Sequence, residues 1–181
     1  MSERYEIRFS GSGGQGMILA GIVMAEAASI YGDKNAVQSQ SYGPESRGGA
    51  SKAEVIISSQ PIDYPKATSI DCMLALTQEA CSRYHKDIKR GGTLLVDSEL
   101  VKKTPDGDFR VISYPIIAAA RDELGKIIVA NIISLGMITE LTGVVTREQM
   151  EQAVLSRVPK PFLDLNKNAL QIGFERGAEL K

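Results

Sequence analysis

Apolar and polar positions divide the chain into a strand-rich first part and a helical second part. Arg4 to Ser10 reads as a first strand. Glycines follow, then a helix from about Gly14 to Tyr31, ended by Gly32-Asp33, glycine being a usual helix C-cap. From Met17 to Tyr31 the only charged residue is Glu26, so this helix is apolar nearly all round and predicts burial on more than one side. "NAVQSQS", residues 35–41, is a short alternating strand, "YGPESRGGA" (42–50) a loop, and "SKAEVIIS" (51–58) a further strand. "SIDCMLAL", residues 69–76, is mostly apolar and reads as a strand buried on both faces. "QEACSRYHKDI" (78–88) is an amphipathic helix, after which Gly91-Gly92 turn the chain into the strand "TLLVDS" (93–98). The turn "TPDGD" (104–108) leads into the strand "FRVISYP" (109–115).

Beyond Pro115 the pattern is helical, with helices predicted at about 116–124, 127–141, 147–156 and 163–180 and with "VPKPF" (158–162) between the last two. Thr146 followed by Gln149 matches a capping box. "IIVANIISLGMITEL" is as uniformly apolar as the first helix. Two such helices predict that the chain oligomerises or docks onto a partner. The order of elements predicts an α/β fold: a three-layer domain with a mixed, mainly parallel sheet and a helical C-terminal part. Strands 35–41 and 51–58 are too close for a crossover helix, so they are antiparallel or lie in different parts of the fold. No repeat, low-complexity tract or dividing linker is present, and residues 1–181 read as a single domain.

Composition removes several functions. With 181 residues and a net charge of -1, the chain carries no basic stripe suited to nucleic acid. "MSERYEIRF" is charged and runs straight into a strand, unlike a signal peptide, and the apolar stretches at 17–25 and 127–138 are too short or interrupted to cross a bilayer. These features predict a cytoplasmic protein that uses neither a membrane nor nucleic acid. Cys72 and Cys81 are the only cysteines and His85 the only histidine. Two cysteines cannot supply the thiolates of an iron–sulfur cluster, and a Cys2His zinc site from these residues has no standard spacing. They read as ordinary reduced cysteines and a surface histidine. A lone histidine also offers little for general acid–base work.

"FSGSGGQGM", residues 9–17, contains G-x-G-x-x-G at Gly11, Gly13 and Gly16, the dinucleotide fingerprint. That reading requires an acidic residue roughly 20 residues on, at the end of the second strand, to hold the ribose. Gln38, Ser39, Gln40 and Ser41 stand there instead, no arginine suits the phosphorylated dinucleotide, and Asp33 precedes the strand. No Gly-Lys-Ser/Thr follows, so the loop is not a P-loop either. What remains is an anion cradle at a helix N-terminus or a tight turn for helix–strand packing. "QSYGPESRGGASKAEV", residues 40–55, is the second dense motif. Tyr42 offers a ring and a hydroxyl, Gly43-Pro44 a turn, Glu45 and Arg47 a charge pair, and Gly48-Gly49 close backbone approach. On its own it is equally a surface loop with an exposed ion pair.

Together, "GSGGQG", "NAVQSQSYGPESRGGASKAEV", Tyr114-Pro115 and "VANIISLG" (129–136) resemble the gamma subunit, or gamma domain, of the 2-oxoacid:ferredoxin oxidoreductases over almost the whole chain. The two loops look most like the 2-oxoglutarate branch; the pyruvate branch tends to carry arginine where Ser12 stands. The resemblance implies a complex in which thiamine diphosphate attacks the 2-oxo carbon and CO2 leaves. Electrons then pass one at a time through 4Fe–4S clusters to ferredoxin, and coenzyme A takes the acyl group. This chain has no Gly-Asp-Gly followed downstream by Asn-Asn, as a thiamine diphosphate site would show; "PDGDF" lacks that continuation. Thiamine diphosphate, Mg and the clusters are therefore expected on alpha, beta and ferredoxin-like delta partners, and no catalytic or metal-binding residue is assigned here. The expected role is binding and assembly. Gly11, Ser12, Gly13, Gly14, Gln15 and Gly16, with Ser41, Tyr42, Gly43, Glu45, Arg47, Gly48 and Gly49, would form one edge of the site that handles coenzyme A or the acyl intermediate. The phosphates suit a helix N-terminus, and Arg47 adds positive charge. The competing expectations are a scaffold whose loops bind only protein and shape a subunit contact, the pyruvate or another 2-oxoacid branch, and a free-standing nicotinamide- or flavin-dependent oxidoreductase; the isolated chain is expected to be able to form a homodimer.

Overall fold

The computed structural model describes residues 4–42 and 49–181. In chain order the elements are β1 (Arg4–Ser12), α1 (Met17–Ser29), β2 (Asn35–Tyr42), β3 (Ala50–Ser58), β4 (Ile70–Ala75), α2 (Gln78–Tyr84) with a 3-10 turn at His85–Asp87, β5 (Ile88–Asp97) and β6 (Arg110–Tyr114). Then come α3 (Ile116–Leu124), α4 (Ala130–Thr142), α5 (Arg147–Arg157) and α6 (Leu163–Glu179), with 3-10 turns at Ile127–Val129 and Lys160–Phe162. The six strands form one sheet in the order β2-β3-β1-β4-β5-β6. β3 pairs antiparallel with both β1 and β2, while β1–β4, β4–β5 and β5–β6 are parallel. The sheet is thus mixed and mainly parallel, and every strand except β3 ends at the same edge.

Side-chain alternation sorts the sheet into two faces. Ile7, Phe9, Val55, Cys72, Leu74 and Leu95 pack with α1 and the C-terminal helices in the larger cluster. Met73, Ala75, Leu94 and Val96 face the other way, with Cys81 and Val101. β4 is buried at all six positions, as its apolar run requires. α4 is buried at every residue from Ala130 to Thr139, so its all-round apolarity is used inside the fold. It crosses α6 through glycines. A Cβ at Gly136 would lie 2.6 Å from the Leu170 carbonyl oxygen, and one at Gly177 would lie 2.8 Å from Met137 Cα. α1 is covered less completely, and Leu19 stays 41% exposed.

Several boundaries differ from the sequence reading. β1 runs on through Gly11 and Ser12, because Gly11 pairs with Ser51 and Ser12 with Ala50. α1 begins at Met17 rather than Gly14. Gly32 is not a left-handed cap: α1 closes at Ile30 in right-handed backbone. Gly32 is instead packed, since a Cβ there would lie 2.8 Å from the Ala28 carbonyl oxygen. Gly91-Gly92 lie inside β5 rather than ahead of it. Gly91 adopts φ 73, and the pairing with β4 shifts register between Ile70 and Cys72. The capping box forms in full, with Thr146 accepting from Gln149 N and Gln149 accepting from Thr146 N.

One buried charge cluster gave no pattern in the sequence. Arg8, 1% exposed, stands opposite Glu54 in the β1–β3 register. It donates to Glu54 at 2.8 Å, to Asp87 at 2.7 Å and to the Tyr84 carbonyl at 2.5 Å. A guanidinium so enclosed is tolerable only with such partners. It ties β1 and β3 to the end of α2.

Candidate functional site

The carboxyl edge of the sheet collects the ends of β1, β4, β5 and β6. The chain leaves β1 through α1 toward β2 on one side and leaves β4 through α2 toward β5 on the other. The crevice between the ends of β1 and β4 is therefore the switch point at which open α/β sheets bind ligands. Leu76 N donates to the Ser10 carbonyl across this crevice, at 3.0 Å. The glycine loop stands there, reduced to Gly13–Gly16 because Gly11 and Ser12 belong to β1.

Gln15 closes the loop on itself. Its Oε1 accepts from Ser12 N at 2.8 Å, and its own N–H donates to the Ser12 carbonyl at 3.2 Å. A Cβ at Gly11 would collide with that Oε1. Gly14 (φ 90) and Gly16 (φ 75) occupy left-handed backbone that glycine adopts without strain. Gly16 is the N-cap of α1, with no side-chain cap bond. Its carbonyl accepts from Ala20 N at 2.9 Å, which opens the helical ladder and leaves the leading N–H groups of α1 without intrahelical acceptors. That is the polarity an anion requires.

The second motif reaches the same place. Gly13 N donates to the Gly49 carbonyl at 3.3 Å, and Ser51 Oγ approaches the Gly11 carbonyl at 3.5 Å. Ser41 and Tyr42, the last residues of β2, pair with Lys52 and Ser51 of β3. Gly43, Glu45, Arg47 and Gly48 lie outside the described residues. The structure thus joins Gly13 to Gly49 and sets Ser41 two strands from β1. A dinucleotide βαβ unit is not formed, because the strand after α1 is separated from β1 by the antiparallel β3.

Two apolar hollows flank the loop and share Gly14 and Ile128. One, of about 450 Å³, lies among α1, α4, α5 and α6 and is walled by Leu19, Ile132, Val158 and Phe162. The other, of about 280 Å³, is lined by Gln15, Leu76 and Ile117. Ile127, Ile128 (73% exposed) and Phe162 stand open at their mouths. Beside the larger hollow Arg157 donates to Glu26 at 2.7 Å, and this hydrogen bond holds the Glu26 carboxyl below its usual range. Asn131, in the same wall, donates to the Gly16 carbonyl. Sequence reading quoted Asn131 only inside "VANIISLG" and gave it no role.

Asp97 is a second residue the sequence did not signal. Fully buried at the end of β5, it accepts from the backbone of Glu99 and Leu100 at 2.9 Å and of Ile117 at 2.8 Å. It ties β5 to the start of α3, just beyond Tyr114-Pro115. The cysteines are placed for packing. Cys72 and Cys81 lie in clusters on opposite faces of the sheet and cannot ligate one metal centre. Burial pushes the Cys72 thiol up to about 12 and raises Cys81 as well. His85 Nδ1 lies 3.0 Å from the Cys81 carbonyl. Among the described residues no helix is long and apolar enough to cross a membrane.

Comparison with known proteins agrees with this geometry. The pyruvate ferredoxin/flavodoxin oxidoreductase family matches residues 6–176. The chain is 49% identical to 2-oxoglutarate synthase subunit KorC of Methanocaldococcus jannaschii, over 98% of this chain and 96% of that one. It is 48% identical to the subunit of the same name from Methanothermobacter marburgensis, over 95% and 96%. Among solved structures, the gamma subunit of a keto/oxoacid ferredoxin oxidoreductase from Geobacter sulfurreducens superimposes with a TM-score of 0.91 at 60% identity, covering 98% of each chain. With the match running from β1 into α6 and relatives of this similarity along nearly its full length, the chain belongs to the pyruvate ferredoxin/flavodoxin oxidoreductase family.

Proposed function

We propose that the chain is the gamma subunit of a 2-oxoglutarate:ferredoxin oxidoreductase, a complex that converts a 2-oxoacid and coenzyme A to acyl-CoA and CO2. In this reading it assembles in the cytoplasm with alpha, beta and ferredoxin-like delta subunits, and ferredoxin accepts the electrons. The 2-oxoglutarate branch is favoured over the pyruvate branch by likeness. Relatives named 2-oxoglutarate synthase reach 49% identity, against 27% for the pyruvate/ketoisovalerate gamma subunit of Thermococcus litoralis. The carbon and electron chemistry is assigned to the partners in this reading, because the sequence carries no Gly-Asp-Gly followed by Asn-Asn for thiamine diphosphate and its two cysteines, in clusters on opposite faces of the sheet, are too few for an iron–sulfur cluster.

The observation that carries the role of this chain is the junction of the two motifs at one switch point, through Gly13 N and the Gly49 carbonyl. It supports a contribution to the coenzyme A site. The leading N–H groups of α1 receive a phosphate, Arg47 adds charge, and the apolar hollows beside Gly14 accept uncharged parts of the ligand or of a neighbouring subunit. The exposed Leu19, Ile127, Ile128 and Phe162 at this edge support its being covered on assembly.

Anaerobic purification through a tag on this chain brings down a thiamine-binding subunit and a cysteine-rich subunit. A complex fully active without the chain would overturn its place in the site. In the assembled enzyme, Arg47→Ala raises the KM for coenzyme A by about tenfold, the worth of one charge-assisted hydrogen bond, and Gly13→Val raises it by placing a branched side chain in the loop. If KM and turnover both stay unchanged, the loops only shape a subunit contact.

A further inference from the structure

Asn131 is a buried polar residue, 4% exposed, in the first turn of α4. Its side chain does not cap its own helix, where Val129 is the N-cap and no side-chain cap bond forms. It reaches α1 instead, where Nδ2 donates to the Gly16 carbonyl at 3.4 Å. A Cβ on Gly16 would lie 2.5 Å from that nitrogen. A carboxamide in such surroundings costs free energy unless it is bonded, and a leucine would fill the space between α1 and α4 without that cost. Asn131 therefore has to be understood through what it holds.

The Gly16 carbonyl and the Met17 N–H share one rigid peptide plane. Two donors fix that carbonyl, Ala20 N along the helix and Asn131 from outside it. Fixing the carbonyl fixes the opposed N–H, the first of those α1 presents at the open edge. Gly16 itself has no side chain to do this and stands at a left-handed φ of 75. We infer that Asn131 is a positioning residue of the anion cradle. It holds the Gly16–Met17 peptide so that the N–H groups of α1 face the ligand. This rests on the reading that the glycine loop handles coenzyme A.

The test uses the assembled complex with Asn131→Asp and Asn131→Leu. Aspartate keeps the shape but turns an oxygen toward the Gly16 carbonyl; leucine removes the donor and packs. Both variants raise the KM for coenzyme A by about tenfold, and exchange of the Ala20 amide, which shares the Gly16 carbonyl with Asn131, speeds up by a similar factor. The KM for the 2-oxoacid does not move. Lowering the pH restores the aspartate variant, whose protonated carboxyl donates again, and does not restore the leucine variant. Unchanged exchange overturns the inference, as do KM values for both substrates rising together, which is the mark of a merely structural role. Gly13→Val separates this from the underlying reading. If it raises the KM for coenzyme A and the Asn131 variants do not, the positioning role fails alone. If neither moves that KM, the coenzyme A reading fails, and amide exchange alone decides whether Asn131 braces the loop.

Discussion

Gly14 and Gly16 share left-handed backbone but differ in what surrounds them. A Cβ on Gly14 meets nothing within 4 Å, whereas one on Gly16 runs into the Asn131 amide. Gly14→Ala therefore costs about 1 kcal/mol of backbone strain, and Gly16→Ala costs more by the displacement of Asn131, in all about 2–3 kcal/mol by denaturant unfolding. Equal costs would show that the Asn131 contact is soft. Cys72 sets a pH dependence of the opposite kind, unrelated to the site. Its thiol is raised by burial to about 12, so the folded chain keeps a proton that the unfolded chain gives up near the ordinary thiol value of about 9. The unfolded state then binds fewer protons, and stability falls as pH rises through that window. The slope between pH 9 and about pH 10, before tyrosines such as Tyr5 join in, is flatter in Cys72→Ala, as unfolding curves at a series of pH values will record. The same residues mark the limits of sequence reading. The capping box was legible because Thr146 and Gln149 act on near neighbours. Asn131, Asp97 and Arg8 were not, because their partners lie far along the chain and leave no spacing to read.

At the scale of elements, periodicity found every strand and helix and misplaced those whose limits are set by pairing. β1 continues through Gly11 and Ser12 because β3 supplies partners, so the sheet overrides the turn that local glycine content predicts there. In β5, Gly91-Gly92 keep their irregularity as a bulge: the pairing with β4 passes from Ile88 to Thr93, and Gly91 is left-handed. The apolar helices were recognised correctly, but only one kind of burial follows from apolarity. α4 spends its surface on contacts within the fold, above all with α6. There Gly173 is pressed against the Ile133 carbonyl and lies 2.9 Å from Gly136 Cα when given a Cβ. Gly173→Ala forces the helices apart and lowers stability by about 3 kcal/mol or more, while alanine at exposed Glu175 of the same helix changes it by less than about 0.5 kcal/mol. A small effect at Gly173 would mean that α6 shifts freely along α4.

The whole molecule sets a family-specific edge on a common sheet. Strand order alone makes the place between β1 and β4 a switch point, where open α/β sheets leave a crevice. What separates it from a dinucleotide site is the insertion of β3, which moves the strand after α1 away from the loop. The fingerprint Gly11, Gly13, Gly16 is complete in sequence and divided in space: its first glycine is a sheet residue and only the last two shape the turn. This shortness has a consequence for the rate of ligand capture. Residues 13–16 are pinned through Gly13 to Gly49, through Gln15 to Ser12 and through Gly16 to Asn131, which leaves the turn no slack with which to fold over a ligand. If coenzyme A docks at this edge, as proposed, its encounter is then a single bimolecular event. In rapid mixing with the assembled complex, the observed rate rises in proportion to coenzyme A concentration, without the plateau that a closing step imposes.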